Sequence, residues 1–373
     1  MLQKLVIYIS LMLAAVCAQA QQIRIGNYTF ADGGEYQGEL FKGKPYGKGK
    51  TVYPNGDYHE GEYLKGKRQG HGIYQFSDGE KYEGEWFQDQ QHGTGTFYFA
   101  NNNRYEGLWF RDYQQGLGTM YYYNGDIYEG SWVQDKRDGK GRYTFAQGGA
   151  YYEGQWKNDM KEGQGTFDWK DGNRYEGGWH ENKKSGKGTF TYATGDSYTG
   201  EWSDDQQHGR GIFSFRDGNR YEGQYAHGQR TGEGIYTFAN GDKYVGHFQD
   251  GEQDGQGTFS WHTGSTYTGQ WKHNRQHGQG KYHWANGDEY EGGWADGQME
   301  GEGILRQADG VRFKGTFRQG LKEGHGIMED AEGIRHEGNF TADQKNGEFT
   351  EKDKSGNLLR KVIYKNGVAQ PGN

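Results

Sequence analysis

Residues 82–104 read YEGEWFQDQQHGTGTFYFANNNR. In Tyr82-Glu83-Gly84-Glu85-Trp86, rings and glycine occupy every second place and carboxylates fill the gaps. Gly95-Thr96-Phe97-Tyr98-Phe99 alternates in the same way. A period of two predicts a strand with one apolar face. Two such strands joined by the polar run Phe87 to Gly93 predict a β-hairpin. In most neighbouring segments Asn-Gly or Asp-Gly follows the second strand, as in Asn55-Gly56, Asp78-Gly79, Asn124-Gly125 and Asn240-Gly241. These pairs predict type I′ turns there. Asn102 stands in a glycine place, and Asn tolerates the left-handed backbone best among residues with a side chain.

The segment is one of a series. Its leading tyrosine recurs as Tyr36, His59, Tyr105, Tyr128, Tyr152, Tyr175, Tyr198, Tyr221, Tyr244, Tyr267, Tyr290, Phe313 and His336, at a constant step lengthened only once, after Tyr128. With this residue as position 1, glycine fills positions 3 and 12 in all fourteen units and positions 14 and 21 in thirteen, failing only at Phe349 and Asn102. These four places hold 54 of the 68 glycines, so glycine serves a repeated backbone requirement rather than low complexity. Tryptophan is as regular. Trp86, Trp109, Trp132, Trp156, Trp179, Trp202, Trp271 and Trp294 are at position 5, and Trp169, Trp261 and Trp284 at position 18. A half-unit with Tyr28, Phe30 and Gly33 in register precedes the first full one. One hairpin cannot hold itself together, so neighbours must stack. Glycines at positions 3 and 14 share the aromatic face, where a ring can lie flat on bare backbone and substitute for a second layer. A Cβ at Gly154 is therefore expected to disrupt packing, and one at Gly338, in the atypical last unit, to be tolerated.

The pattern Y-x-G-x-W, G-x-G and [ND]-G on a 23-residue step resembles the MORN repeat, and units 82–104, 175–197 and 267–289 match almost completely. The resemblance covers residues 26–356. It implies an all-β fold: an elongated, twisted, single-layer antiparallel β-meander of about fourteen 23-residue hairpins. Residues 21–35 would be an N-terminal half-repeat cap, 36–335 thirteen repeats, and 336–373 a degenerate last repeat and C-terminal cap. Departures gather at the ends, with Leu40 for the ring at position 5, Gln307 and Asp330 for rings at position 18, and Phe349 for glycine. Proteins with such arrays are commonly scaffolds, protein-interaction platforms or membrane-apposed factors. Where these arrays occur in enzymes, the catalytic domain lies outside the repeats.

Composition agrees. Glycine supplies 68 of the 373 residues, and hydrophobic residues make up only 31 % of the chain. Aromatic residues alone are 16 %, so too little aliphatic material remains for a conventional core. With 11 Trp, 30 Tyr and 19 Phe, apolar burial is carried by rings, which a disordered chain lacks. The net charge is −8 with both signs dispersed, and no basic stripe for nucleic acid is present. Residues 1–22 carry Lys4, an apolar run from Leu5 to Val16 and an Ala18-Gln19-Ala20 cleavage pattern. They read as a secretory signal peptide cut after Ala20, and the mature chain as a soluble exported protein, periplasmic, surface-bound or secreted. Cleavage would remove Cys17, the only cysteine, and with it any disulfide, thiolate metal site or cysteine nucleophile.

No catalytic constellation is found. His92, His208 and His277 share position 11 several units apart, without the spacing of a metal site. Glu83 and Glu85 fall on the polar strand face, where carboxylates keep a sheet soluble. Gly186-Lys187-Gly188-Thr189 lacks the phosphate-loop spacing and a following helix. No metal, cofactor or enzymatic activity is expected. The candidate binding face is the aromatic stripe, namely the eight position-5 tryptophans with Tyr82, Tyr105, Tyr128 and Tyr175, regular enough to stack on sugar rings. A second candidate is the basic cluster Lys42, Lys44, Lys65, Lys67 and Arg68, suited to an anionic lipid surface. The leading expectation is a non-enzymatic exported scaffold or protein-interaction module with unidentified protein partners. Polysaccharide binding through the stripe and peripheral association with anionic lipid are the alternatives. An end-to-end or antiparallel homodimer through exposed edge strands is a further expectation.

Overall fold

The computed structural model describes residues 23–371. The leader reading, with Lys4, Cys17 and Ala18-Gln19-Ala20, lies outside the described residues. Within them every regular element is a strand and none is a helix. The strands fall into two compact units, residues 23–183 and 184–371, holding fourteen and eighteen strands. Within each unit, consecutive strands pair antiparallel in chain order, except that Arg335–Thr341 pairs with both Gln344–Lys345 and Gly347–Lys352, so each is an open meander of one layer.

The hairpin at 81–98 shows the local logic. Lys81–Phe87 pairs with Gln90–Tyr98, placing Tyr82 opposite Phe97 and Gly84 opposite Gly95. The register then slips, and Glu85 faces His92. Gly93, at position 12, sits in this bulge with φ +59°, which explains the glycine at that place. On its other side the same strand pairs without interruption, with Gly93 opposite Trp109 and Gly95 opposite Gly107.

The two turn types lie opposite to the sequence expectation. Asn-Gly and Asp-Gly do not form type I′ turns. In Phe76–Glu80, the Phe76 amide donates to the Glu80 carbonyl at 2.9 Å and the Gly79 amide to the Phe76 carbonyl at 3.2 Å, with φ +98° at Gly79 alone. This is a three-residue loop closed by a glycine bulge. Its Asp or Asn is selected as a local acceptor: Asp78 Oδ1 takes the Glu80 amide at 3.0 Å and Asn124 Oδ1 the Asp126 amide at 3.0 Å. The type I′ geometry appears at the other end, where Phe87 pairs with Gln90 across Gln88 and Asp89, at φ +50° and +73°. Arg111-Asp112 and Gln134-Asp135 repeat it.

The core is a herringbone of rings. Tyr82 is fully buried, and its hydroxyl donates to the Glu85 carbonyl at 2.9 Å. A Cβ on Gly84 would stand 2.6 Å from that hydroxyl and 2.5 Å from Gly95 Cα, so bare backbone is required on both strands. Trp86 donates its indole N–H to the Gly72 carbonyl of the preceding repeat at 3.2 Å. Tyr82 meets Trp86 edge-on at 5.2 Å and Trp109 at 5.3 Å, and Tyr105 continues to Trp109 and Trp132. The second unit repeats the pattern through Tyr244, Trp271, Tyr267 and Trp294. Edge-to-face pairs contribute roughly 0.5–1.5 kcal/mol each beyond area burial, which is how one layer dispenses with a second.

Both turn rows are clipped to the neighbouring repeat. Asp112 Oδ1 accepts the Gln91 amide at 2.8 Å, and the Asp112 amide donates to the Gln91 carbonyl at 3.2 Å. Asp89 and Asp135 do the same to Arg68 and Gln114. On the opposite edge Asp126 accepts the Ala146 amide at 2.8 Å and the Tyr143 hydroxyl at 2.7 Å.

The last repeat is not frayed, contrary to the expectation for Gly338. Where position 1 shrinks to His336, position 14 grows from glycine to Phe349, which is fully buried with its ring 5.3 Å from both Phe340 and Tyr364. A Cβ on Gly338 would stand 2.7 Å from that ring. The ring comes from the facing strand, and the glycine beneath it is still needed.

Candidate binding face

The expected aromatic stripe is the core rather than an exposed face. Trp86, Trp109, Trp132, Trp156, Trp179, Trp202, Trp271 and Trp294 are 3–7 % exposed, and Tyr82, Tyr105, Tyr128 and Tyr175 are 0 % exposed. The physical reason is the glycine frame: rings that lie on bare backbone and edge-on to one another cover their own faces. Burial also raises the Tyr36 phenol to about 12 and pushes those of Tyr82, Tyr105 and Tyr128 higher still.

A second ring row, at positions 16 and 18, lies beside the core. Phe76, Phe99, Phe145 and Trp169 of the first unit, and Tyr192, Phe215, Phe238, Trp261 and Trp284 of the second, are half-buried. They run in contact with the position-16 rings: Phe167 stacks on Trp169 at 4.3 Å, Trp261 lies 4.5 Å from Phe259 and 5.1 Å from Tyr282, and Tyr282 lies 4.5 Å from Trp284. The sequence reading placed these rings on the apolar face but did not single them out as a candidate surface. Its signal was present in the three tryptophans displaced to position 18, two of them in consecutive repeats.

Position 10 covers the next repeat's position-5 ring. Arg68 stacks on Trp86 at 4.2 Å, Arg137 on Trp156 at 4.3 Å and Lys161 on Trp179 at 4.2 Å. Gln253 and Gln276 replace the cation in two successive repeats of the second unit. There a groove of about 530 Å3 opens, walled by Phe238, Phe259, Trp261, Gln253, Gln276 and Arg275 among others.

The family model of the MORN repeat matches thirteen times between residues 36 and 335, from 36–58 to 313–335, missing only residue 151. The chain belongs to the MORN-repeat family. No curated protein matches the sequence. Among solved structures, the chain is similar to the TCP domain of Drosophila melanogaster SAS-4 in complex with a proline-rich motif of Ana2, at 16 % identity over 42 % of this chain and 85 % of that one, TM-score 0.28. It is also similar to the TCP10 domain of Danio rerio CPAP, at 10 % identity over 72 % and 99 %, TM-score 0.19. A third likeness is to virginiamycin B lyase of Staphylococcus aureus, at 11 % identity over 82 % and 94 %, TM-score 0.13. Superpositions this loose carry no argument about function.

MORN repeats are generally protein- or membrane-interaction modules, and the candidate basic cluster of this MORN array lies in its first two repeats. Lys42, Lys44 and Lys65 are exposed, as a lipid-facing cluster requires. Arg68 does not present itself with them. Its side chain is 19 % exposed, stacks on Trp86, donates to the Asp89 carbonyl at 2.7 Å and pairs with the Asp89 carboxylate at 3.7 Å. Lys67 lies 3.8 Å from the same carboxylate. The guanidinium's work is to cap a core ring. Among the described residues no three His, Cys, Asp or Glu side chains converge as a metal site.

Proposed function

We propose that this MORN protein is an exported, non-enzymatic scaffold that holds a protein partner along its outward-facing side chains. One observation carries the reading: the repeat uses its reactive groups in its own construction. Position-1 hydroxyls donate to backbone carbonyls, position-5 indoles donate to glycine carbonyls, and position-8 and position-22 carboxylates clip neighbouring amides. The side chains that remain, at positions 2, 4 and 15, recur at fixed register and offer a regular surface. Cross-strand charge pairs such as Arg142 with Glu153, at 3.4 Å, lie on it.

The test uses the full chain in its native host. Intact mass of the exported form should show cleavage after Ala20, and retention of residues 1–20 in a cytoplasmic form would refute export. Cross-linking in the native envelope should then recover one recurrent protein, lost when Arg142 and Glu153 are exchanged for each other's charge with the melting curve unchanged. Turnover of a defined substrate by the purified chain, abolished by a point change in the array, would overturn the scaffold reading.

A further inference from the structure

We propose that the groove between residues 230 and 297 is a polysaccharide site with a preference for acidic sugars. It goes beyond the scaffold reading and does not depend on it.

Stacking comes first. Trp261 and Phe238 are half-buried rings on the groove wall, with Phe259 and Trp271 behind them. A flat ring exposed on one side in a polar rim suits the apolar face of a pyranose, which carries C–H groups on its face and hydroxyls around its edge. Hydrogen bonding comes second. Gln253 is nine-tenths buried, and Asn274 takes both of its backbone groups: the Gln253 amide donates to Asn274 Oδ1 at 2.8 Å, and the Asn274 amide to the Gln253 carbonyl at 3.0 Å. The Gln253 side-chain amide makes no hydrogen bond among the described residues, and it lines the groove. The amide faces the open groove, where its donor and acceptor are free to bond a ligand hydroxyl. Gln276 offers a second amide one repeat further on.

Charge comes third. The chain carries a net charge of −8, yet no carboxylate among the described residues lines this groove, whereas Arg230 and Arg275 do. Arg230 gives one N–H to the Gly251 carbonyl at 2.7 Å. Arg275 is 65 % exposed and only loosely paired with Asp296 at 3.6 Å, so a sugar carboxylate can compete for it. The groove at Phe145, Phe167 and Trp169 of the first unit has the same ring row, but Asp126 and Asp171 line it, which makes it a built-in control. The second groove's volume of about 530 Å3 falls in the ordinary ligand range of roughly 300–1,000 Å3.

The experiment is affinity gel electrophoresis and calorimetry of the full chain against polygalacturonate, alginate, cellulose and xylan. Retention by one of the two acidic polymers, weakened at high salt, is expected. Trp261→Ala and Arg275→Ala should each lose at least tenfold in affinity, while Trp169→Ala leaves it unchanged. Trp261→Phe, which keeps a ring in the row, should keep both the melting curve and part of the binding. Three results would each overturn the site: no retention by any of the four polymers, retention equal for the neutral polymers and indifferent to salt, or retention unmoved by Trp261→Ala and Arg275→Ala. Groove variants that abolish capture of a protein while no glycan binds would overturn it in favour of a peptide ligand.

Discussion

His59 shows what one residue costs this fold. It occupies position 1, where eleven other repeats hold a buried tyrosine, such as Tyr82 or Tyr105, that donates to a carbonyl three places on. The imidazole is 0 % exposed, and neither ring nitrogen has a hydrogen-bond partner among the described residues. Burial first, and the Arg68 charge second, lower its pKa from 6.5 to about 3. The unfolded chain therefore binds a proton that the folded chain refuses between those values. Its contribution to stability is complete above pH 6.5 and is lost as pH falls toward 3. His59→Tyr should remove this acid sensitivity. Gly61 and Gly72 still provide bare backbone, so the new hydroxyl should reach the Glu62 carbonyl and add about 1–2 kcal/mol at pH 7. Urea midpoints at pH 7 and 4.5 measure both effects, and an unchanged pH dependence would clear His59 of the role. The facing glycines make a second case. A Cβ on Gly154 would stand 2.5 Å from Gly165 Cα and from the Tyr152 hydroxyl. Gly154→Val should cost about 1–3 kcal/mol by overpacking, despite the better strand propensity of valine. Because Phe349 covers Gly338, Gly338→Val should cost a comparable amount rather than be silent. Denaturant melts of both variants decide this.

At the scale of the hairpin, the two turns divide the labour. The three-residue loop uses glycine for its positive φ and Asn or Asp as a local acceptor. The two-residue turn needs positive φ at both places, and its second residue also clips the preceding repeat. At Asp112, φ is +70° and the carboxylate holds the Gln91 amide. Asp112→Ala should lose the clip and force alanine into the left-handed region, a cost of about 1–2 kcal/mol in all. Asp112→Gly loses only the clip and should cost less. Thermal melts should rank wild type, glycine and alanine in that order, and alanine equal to or better than glycine would refute the dual role. The turn type is not legible at this scale from sequence. Asn-Gly is the strongest short-range mark of a type I′ turn, but loop length decides the turn type, and only pairing of Phe87 with Gln90 reveals that length.

At the scale of the molecule, each ring touches only the rings of its own and the adjacent repeats, so stability is a sum of local and nearest-neighbour contributions. Gly154→Val should therefore weaken the first unit selectively. Hydrogen exchange followed by mass spectrometry should show faster exchange in peptides from 128–179, with peptides from 244–317 unchanged. Uniform acceleration along the chain would show that the two units unfold as one. The far-ultraviolet spectrum should combine β-structure with exciton bands from the edge-to-face Tyr–Trp pairs, without helix.

The all-β class, the regular repeat step and the period-two faces were legible from residues 82–104 and their recurrence, because a strand's two faces and a repeat's length are properties of spacing along the chain. The ring-over-glycine packing was legible as well, since fourteen glycines at one place have no other common use. Tertiary structure alone decided which rings are covered. Positions 1, 5, 16 and 18 share one face, and nothing in their alternation separates them. Their difference arises across the strands, where the glycine frame buries Tyr82 and Trp86 and leaves Phe238 and Trp261 beyond its edge. It also decided that Arg68 caps Trp86 rather than joining Lys42, Lys44 and Lys65, because the ring it covers belongs to the next repeat of the chain yet lies 4.2 Å away in space.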